Sequence, residues 1–256
     1  MNIILIGSDG AMGKVIQSLA PLMNHKVVIG LQATQSDESD LLIVTSFKEM
    51  EEQMDRFNIE ADVMIDFSTP KLTEELLEFA VKHKLPIMLA TTGQTADQEA
   101  LIHESGKDIA IIDAHNTSIG VNVMEKIVEQ MTSILSPLGY DIEIIEKHHR
   151  YKQDSPSGTA KMLLDAVKKG MIEEPSIVYG REGTETQRQI NEVGVHAIRG
   201  GDIVGEHSVI FANNQEVIEL THRAGSKELF ARGALSAAEF LAKQCENGIY
   251  SMNDIF

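Results

Sequence analysis

The first thirteen residues restrict the fold more than any other stretch of the chain. Residues 2–6, Asn-Ile-Ile-Leu-Ile, are an apolar, β-branched run, followed at once by Gly7-Ser8-Asp9-Gly10-Ala11-Met12-Gly13 and an amphipathic pattern to about Met23. An unbroken apolar run predicts a strand buried on both faces, as parallel sheets provide. Strand, glycine-rich turn and helix, in that order, suit a dinucleotide. Glycine lets the backbone approach a pyrophosphate, and the helix N-terminus attracts it. The spacing Gly-x-x-Gly-x-x-Gly is a loose variant, and tight βα turns also use glycine for conformational freedom alone. Its place at the head of an α/β pattern favours the cofactor reading.

That pattern continues. Strands are expected at 26–32, 62–67, 86–90 and 108–112, with helices at 47–58, from Pro70 to Lys84, before 108, and up to Leu135. Alternation of this kind predicts a Rossmann-like, doubly wound parallel sheet, with ligands at the C-terminal ends of its strands. The strand ends select Thr34, then Ala90-Thr91-Thr92-Gly93, then Ala114-His115-Asn116-Thr117 as further cofactor residues. A plain βα turn would also explain Thr-Thr-Gly, and the polar residues after Ala114 could cap the next helix. An acid for the ribose is usual near the end of the second strand. Here the residues are Gln32-Ala33-Thr34-Gln35-Ser36, and Asp37 and Glu38 come late, in a polar loop. No arginine favours a 2′-phosphate either, so use of both NADH and NADPH is expected.

After Tyr140 the strands crowd together, at 141–147, 191–199, 206–212 and 216–222, with Asn213-Asn214 as a hairpin signal. This predicts a smaller α+β domain with a mixed, mostly antiparallel sheet. A helix from Ser226 to about Cys245 should return to the first domain. The expected division is 1–116 with 226–256 for dinucleotide binding, and 117–225 for substrate binding and oligomerisation.

Residues 146–160 join a strand end to a helix start. His148, His149, Arg150 and Lys152 are followed by Ser157-Gly158-Thr159, whose backbone N–H groups at a helix entrance can hold an anion. Composition matters here: a net charge of −17 argues against nucleic acid and anionic membrane as partners. An anionic substrate therefore needs a local cationic pocket, which Lys147, Arg150, Lys152 and Lys161 offer against Glu146 and Asp154. Successive strand residues point to opposite faces, so His148 and His149 would not share a metal ion, and no metal is expected. Either half of the stretch alone is also ordinary turn and capping chemistry. Together they ask for a small anionic substrate and a proton donor. The single cysteine, Cys245, allows no internal disulfide. With no apolar run of membrane-spanning length and no signal peptide visible, a cytoplasmic location is expected.

Glu-x-His-His-x-x-Lys-x-Asp-x-Pro-Ser-Gly-Thr-Ala, at 146–160, closely resembles the signature of the dihydrodipicolinate reductase (4-hydroxy-tetrahydrodipicolinate reductase) family of lysine and diaminopimelate synthesis. Residues 114–122 and 196–207 resemble the same family. The resemblance implies a two-domain homotetramer that uses NADH or NADPH. It would reduce the imine formed from 4-hydroxy-tetrahydrodipicolinate, a small dicarboxylate, to tetrahydrodipicolinate. It assigns proton transfer to His148 and Lys152, substrate binding to His149, and a substrate carboxylate to Gly158 and Thr159 at the helix N-terminus. It also places Thr91-Thr92-Gly93 at the nicotinamide end of the cofactor. Thr117 stands where many relatives carry a large apolar or aromatic side chain. Arg199 is either a carboxylate partner or a surface ion pair. Two alternatives remain: another dehydrogenase of a small carboxylated aldehyde or imine, and a non-catalytic nucleotide sensor. His-His-x-x-Lys counts against the sensor, which needs no proton donor.

Overall fold

The computed structural model describes residues 1–34 and 41–256. The chain divides into two compact units, 1–119 with 227–256, and 120–226.

The first unit is a seven-stranded sheet of β1 (Asn2–Ile6), β2 (Lys26–Leu31), β3 (Leu42–Val44), β4 (Val63–Asp66), β5 (Ile87–Leu89), β6 (Ala110–Asp113) and β12 (Gly248–Tyr250). Their order is β12-β6-β5-β4-β1-β2-β3, and every pairing is parallel. Side chains alternate between faces, and both faces are covered, which is why the strands read as continuous apolar runs. Ile3, Leu5, Ile65 and Ile112 pack with Ile16 and Leu19 of α1 (Ala11–Leu19) and Ala234, Leu235 and Ala238 of α7 (Glu228–Leu241). Ile4, Ile6, Met64 and Ile111 form a second core. It is shared with Met50 of α2 (Phe47–Phe57), Leu76 and Phe79 of α3 (Thr73–His83) and Ile102 of α4 (Ala96–Ser105). Side chains start two of these helices. Ser46 accepts from Glu49 N at 3.1 Å, and Thr95 and Gln98 form a reciprocal capping box.

The second unit holds β7 (Asp141–His148), β8 (Ser176–Val178), β9 (Glu192–Arg199), β10 (Glu206–Asn213) and β11 (Glu216–Arg223), in the order β11-β10-β7-β9-β8. Only one face of this sheet carries the core. Ile142, Ile144, Val195, Val209 and Phe211 meet Met124 and Val128 of α5 (Ile119–Leu135) and Leu163 and Val167 of α6 (Gly158–Gly170). Burial of a side chain the size of Phe211 contributes about 1.5–3 kcal/mol. The sheet is mixed as expected, but two of its four pairings, β7 with β9 and β8 with β9, are parallel, so it is not mostly antiparallel. The reason is connectivity. β7 reaches β8 and β9 only through α6 and long loops, and such crossovers return strands parallel. In the hairpin, Asn214 and Gln215 adopt the left-handed backbone that a tight β10–β11 turn requires. The sequence pattern did not reveal β3, β8 or β12, each three residues long at or near a sheet edge. Three residues at an edge are too few to show a period, whereas the equally short β5 lies mid-sheet within the longer run at 86–90.

Candidate active site

In the first unit the β1–α1 turn is built from backbone. Gly7 has φ +80°, and the Gly7 and Ser8 N–H groups both donate to Leu31 O at 2.9 and 3.2 Å. A Cβ on Gly13 would fall well inside contact distance of the Gly7 and Ser8 carbonyls. The helix therefore starts pressed against the turn. Gly10 occupies the N-cap of α1 without a side-chain cap, which leaves the first-turn N–H groups to solvent or a ligand. Asp9 and Ala11 are exposed, whereas Ser8 is buried and its hydroxyl donates to Gln32 Oε1 at 3.0 Å. Ser8 thus shapes the turn from inside. The buried Gln32 also donates to Thr34 O at 2.8 Å, holding the exposed Thr34 at the end of β2. Gln35, Ser36, Asp37 and Glu38, invoked above for the ribose end, lie outside the described residues.

The other strand ends converge. Asp66 is buried at the end of β4 and accepts from Ser68 Oγ at 2.5 Å, and burial raises its pKa although Ser68 and Thr91 oppose the shift. Ser68 N donates in turn to Thr91 Oγ1 at 2.9 Å, tying the turns after β4 and β5 together. Thr92 is exposed, and Gly93 has φ +92°. A pocket of about 270 Å³ opens beside these turns, lined among others by Met12, Ala90, Asn116, Thr117, Lys227 and Phe230. Ala114 and His115 lie on it too. Thr117 is buried and donates to Phe230 O at 2.8 Å, so the shorter side chain fastens the pocket wall to α7. The cradle without Cβ atoms, the uncapped helix and this pocket suit a dinucleotide. Lys227 and Phe230 were not foreseen, because they come from the far end of the chain.

In the second unit alternation along β7 puts Ile142, Ile144, Glu146 and His148 on the covered face. An apolar core thus gives way to a carboxylate and an imidazole at the strand end. Glu146 is fully buried. It accepts from Arg199 Nη1 and Nη2 at 2.7 and 2.8 Å, from Ser157 N at 3.1 Å, and lies 2.6 Å from His148 Nδ1. Burial would raise the Glu146 pKa, but Arg199, His148 and the Ser157 N–H together hold it below the usual carboxylate range. Losing one member of such a buried pair typically costs about 3–5 kcal/mol. The carboxylate that Arg199 serves is therefore the protein's own. Burial lowers the His148 pKa, Glu146 opposes this in part, and Lys152 and Arg199 reinforce it.

Ser157 caps α6, accepting from Ala160 N at 3.2 Å, and sits 2.9 Å from Nε2 of the buried His207. Burial, reinforced by His148, pushes the His207 pKa down to about 4, and the two rings meet edge to face at 5.1 Å. Gly158 and Thr159 open the helix, and nothing would contact a Cβ at Gly158, so approach to the N-terminus is clear. His149 is half-buried just beyond β7. The cationic run is more neutral than its sequence suggests. Lys147 pairs with Glu206, and Lys152 with Asp154 at 2.8 Å, leaving Arg150 and Lys161 without an ion pair among the described residues. The period-two spacing of Glu146 and His148 was the signal that could have flagged the carboxylate. Nothing local marked Ser157 or His207 as its neighbours.

The family model "Dihydrodipicolinate reductase, N-terminus" matches residues 1–117, and "Dihydrodipicolinate reductase, C-terminus" matches 120–256. The 4-hydroxy-tetrahydrodipicolinate reductase of Caldanaerobacter subterraneus is 41% identical over 255 residues, covering 100% of this chain and 98% of that protein. The Clostridium tetani protein of the same name is 40% identical, covering 99% and 96%. Among solved structures, a dipicolinate-bound dihydrodipicolinate reductase from Paenisporosarcina superposes with a TM-score of 0.80 at 19% identity, covering 99% of this chain and 98% of that one. An amine dehydrogenase from Mycobacterium smegmatis, at TM-score 0.59 and 10% identity over 99% and 95% of the two chains, shares the fold alone.

Proposed function

The chain belongs to the dihydrodipicolinate reductase family, and from that premise we propose how its residues carry the reaction. It is a 4-hydroxy-tetrahydrodipicolinate reductase, an oxidoreductase of a small dicarboxylate in lysine and diaminopimelate synthesis. The family uses NAD(P)H, and a bound nicotinamide would supply the hydride. Gly7 to Gly13 and Thr34 hold the nucleotide, and Ala90 to Gly93 with Ala114 to Thr117 its nicotinamide end. The unit of 1–119 with 227–256, close to the 1–116 and 226–256 expected from the sequence, serves as the dinucleotide domain, and 120–226 as the substrate domain.

The buried Glu146–His148 contact beside the open start of α6 carries this reading. Gly158 and Thr159 take one substrate carboxylate on backbone N–H groups, where the helix dipole favours an anion. His149 helps to hold the substrate, and Lys152 leaves its exposed Asp154 partner for a substrate carboxylate. Loss of water from the 4-hydroxy compound gives dihydrodipicolinate. Hydride addition to that ring requires a proton at the neighbouring carbon, and His148 delivers it, with Lys152 beside it.

The assay supplies either cofactor to substrate made in situ from pyruvate and aspartate semialdehyde, and follows cofactor oxidation. Both NADH and NADPH should serve, since neither Thr34 nor Gln35 carries a charge to select between them. A preference of about a hundredfold, near 2.7 kcal/mol, would reveal a selecting contact. His148→Gln should lower turnover by about 10²–10⁴-fold with half-saturation little changed.

A homotetramer is supported by the uncovered face of the five-stranded sheet. Ile145, Ile198, Ile210 and Val217 lie there, opposite the face that α5 and α6 cover. Size-exclusion chromatography with light scattering would test it. The biosynthetic role supports a cytoplasmic location, and no helix among the described residues is long and apolar enough to cross a membrane.

A further inference from the structure

We propose that Glu146 is the positioning residue for proton transfer: held as a carboxylate by Arg199 and the Ser157 N–H, it fixes His148 with its proton on Nδ1, so that Nε2 is the atom that takes up and delivers the reacting proton. This rests on the assignment of His148 as proton donor.

An ionised carboxylate is acceptor-only, with about four lone-pair sites. Oε1 of Glu146 receives Arg199 Nη2 and Ser157 N, and Oε2 receives Arg199 Nη1 and faces His148 Nδ1. Every site is used, and none is a donor. The 2.6 Å contact to His148 therefore places the hydrogen on Nδ1. Nε2 remains for chemistry, and its approach is kept open by Gly205, where a Cβ would come within 3.2 Å of it. Gly205 has no left-handed backbone that would by itself require glycine, so its lack of a side chain matters at this ring.

The carboxylate also bears on the energetics of the imidazolium. A buried imidazole resists charging, and a neighbouring anion offsets that cost. The groups facing His148 are Glu146 on its own strand, Arg199 from β9, His207 from β10 and Lys152 from the following loop. His222 of β11 stands behind His207 in register, and Asp154 holds Lys152. With His207 neutral at physiological pH, Glu146 is the anion in contact with the ring, against the cations Arg199 and Lys152. The Ser157 N–H ties that anion to the first turn of α6 as well. The proton donor and the anion-binding helix end thus share one anchor.

The test is the pH profile of turnover for the full-length enzyme with both substrates, together with ¹⁵N NMR of the His148 ring. Turnover should fall on the basic side as His148 loses its proton. Glu146→Gln should move that midpoint down by about one to three pH units. Turnover near neutral pH should drop about ten- to a thousandfold, with substrate half-saturation little changed. Glu146→Asp keeps the charge and should restore much of the midpoint. A merely structural role would lower the active fraction without moving the midpoint. In the wild-type protein the spectra should report Nδ1–H. If Glu146→Gln fails to fold, that spectrum decides: Nδ1–H supports the proposal and Nε2–H overturns it. His148→Gln is measured in parallel. Near-normal turnover there defeats the proton-donor assignment itself. A slow His148→Gln beside an unmoved midpoint in folded Glu146→Gln defeats only the role of Glu146.

Discussion

The glycine turn of the first unit is made of backbone, whereas the strand-end corner of the second is made of titratable side chains. Gly7, Gly10 and Gly13 shape the former by lacking Cβ atoms, and α1 begins there without a side-chain cap. Glu146, Arg199 and His148 make the latter, buried or half-buried and joined by hydrogen bonds, with His207 edge to face against His148. A backbone site recognises an anion by shape and dipole, so it is sensitive to added volume. A side-chain site depends on protonation states, so it is sensitive to charge and pH. The two regions should therefore fail in different ways.

Among three changes that probe this contrast, the largest effect is expected at Gly13. Gly13→Ala puts a methyl group against the carbonyls of Gly7 and Ser8, which cannot rotate away as a flexible side chain would. Overpacking of this kind costs about 1–3 kcal/mol, and here it should fall on cofactor affinity, up to about a hundredfold, and on the urea midpoint. The pH profile of turnover should not move. A shifted profile would mean that the two regions are not separable.

Next is Lys152→Met. Asp154 is exposed, so its pair with the half-buried Lys152 is screened and worth little, and the lysine can exchange it for a substrate carboxylate. A charge-assisted contact is worth about 1.5–3 kcal/mol, so kcat/KM should fall roughly ten- to a hundredfold. Both turnover and half-saturation should suffer, while cofactor affinity holds. An unchanged half-saturation would show that Lys152 never leaves Asp154.

The smallest effect concerns His207. Its folded pKa of about 4 lies below the ordinary 6.5. The unfolded chain therefore binds more protons between those values, and stability is lost as pH falls through this window. Between pH 6.5 and 5.5 the loss should be about 1 kcal/mol, read from urea midpoints. His207→Gln should flatten that slope, and parallel slopes for wild type and variant would refute the assignment.

The backbone region was the more legible of the two in the sequence. Strand, glycine turn and helix are consecutive, so the local order of residues carries the geometry, and 2–6 and 7–13 fold as the pattern implies. Continuous apolar runs in β1 and β4 announced a sheet covered on both faces. The fold class and the family resemblance followed from such local signals. Thr34 could be placed, but the adjoining polar stretch that bears on cofactor choice lies outside the described residues.

What the sequence alone determined, then, was whatever depends on neighbours along the chain: the βα order, the glycine turn, the capped start of α6 and the presence of His148, His149 and Lys152 at a strand end. Tertiary structure alone decided which side chains share a charge. Arg199 is 53 positions from Glu146, and His207 is 50 from Ser157, yet the β7–β9 and β10–β7 registers bring them together. It also set Lys227 and Phe230 of the chain's last segment beside Asn116 and Thr117. The physical reason is that hydrophobic periodicity reports which face of an element is buried. It does not report which residue of another element is buried against it, and a pKa or a tautomer depends on that second fact.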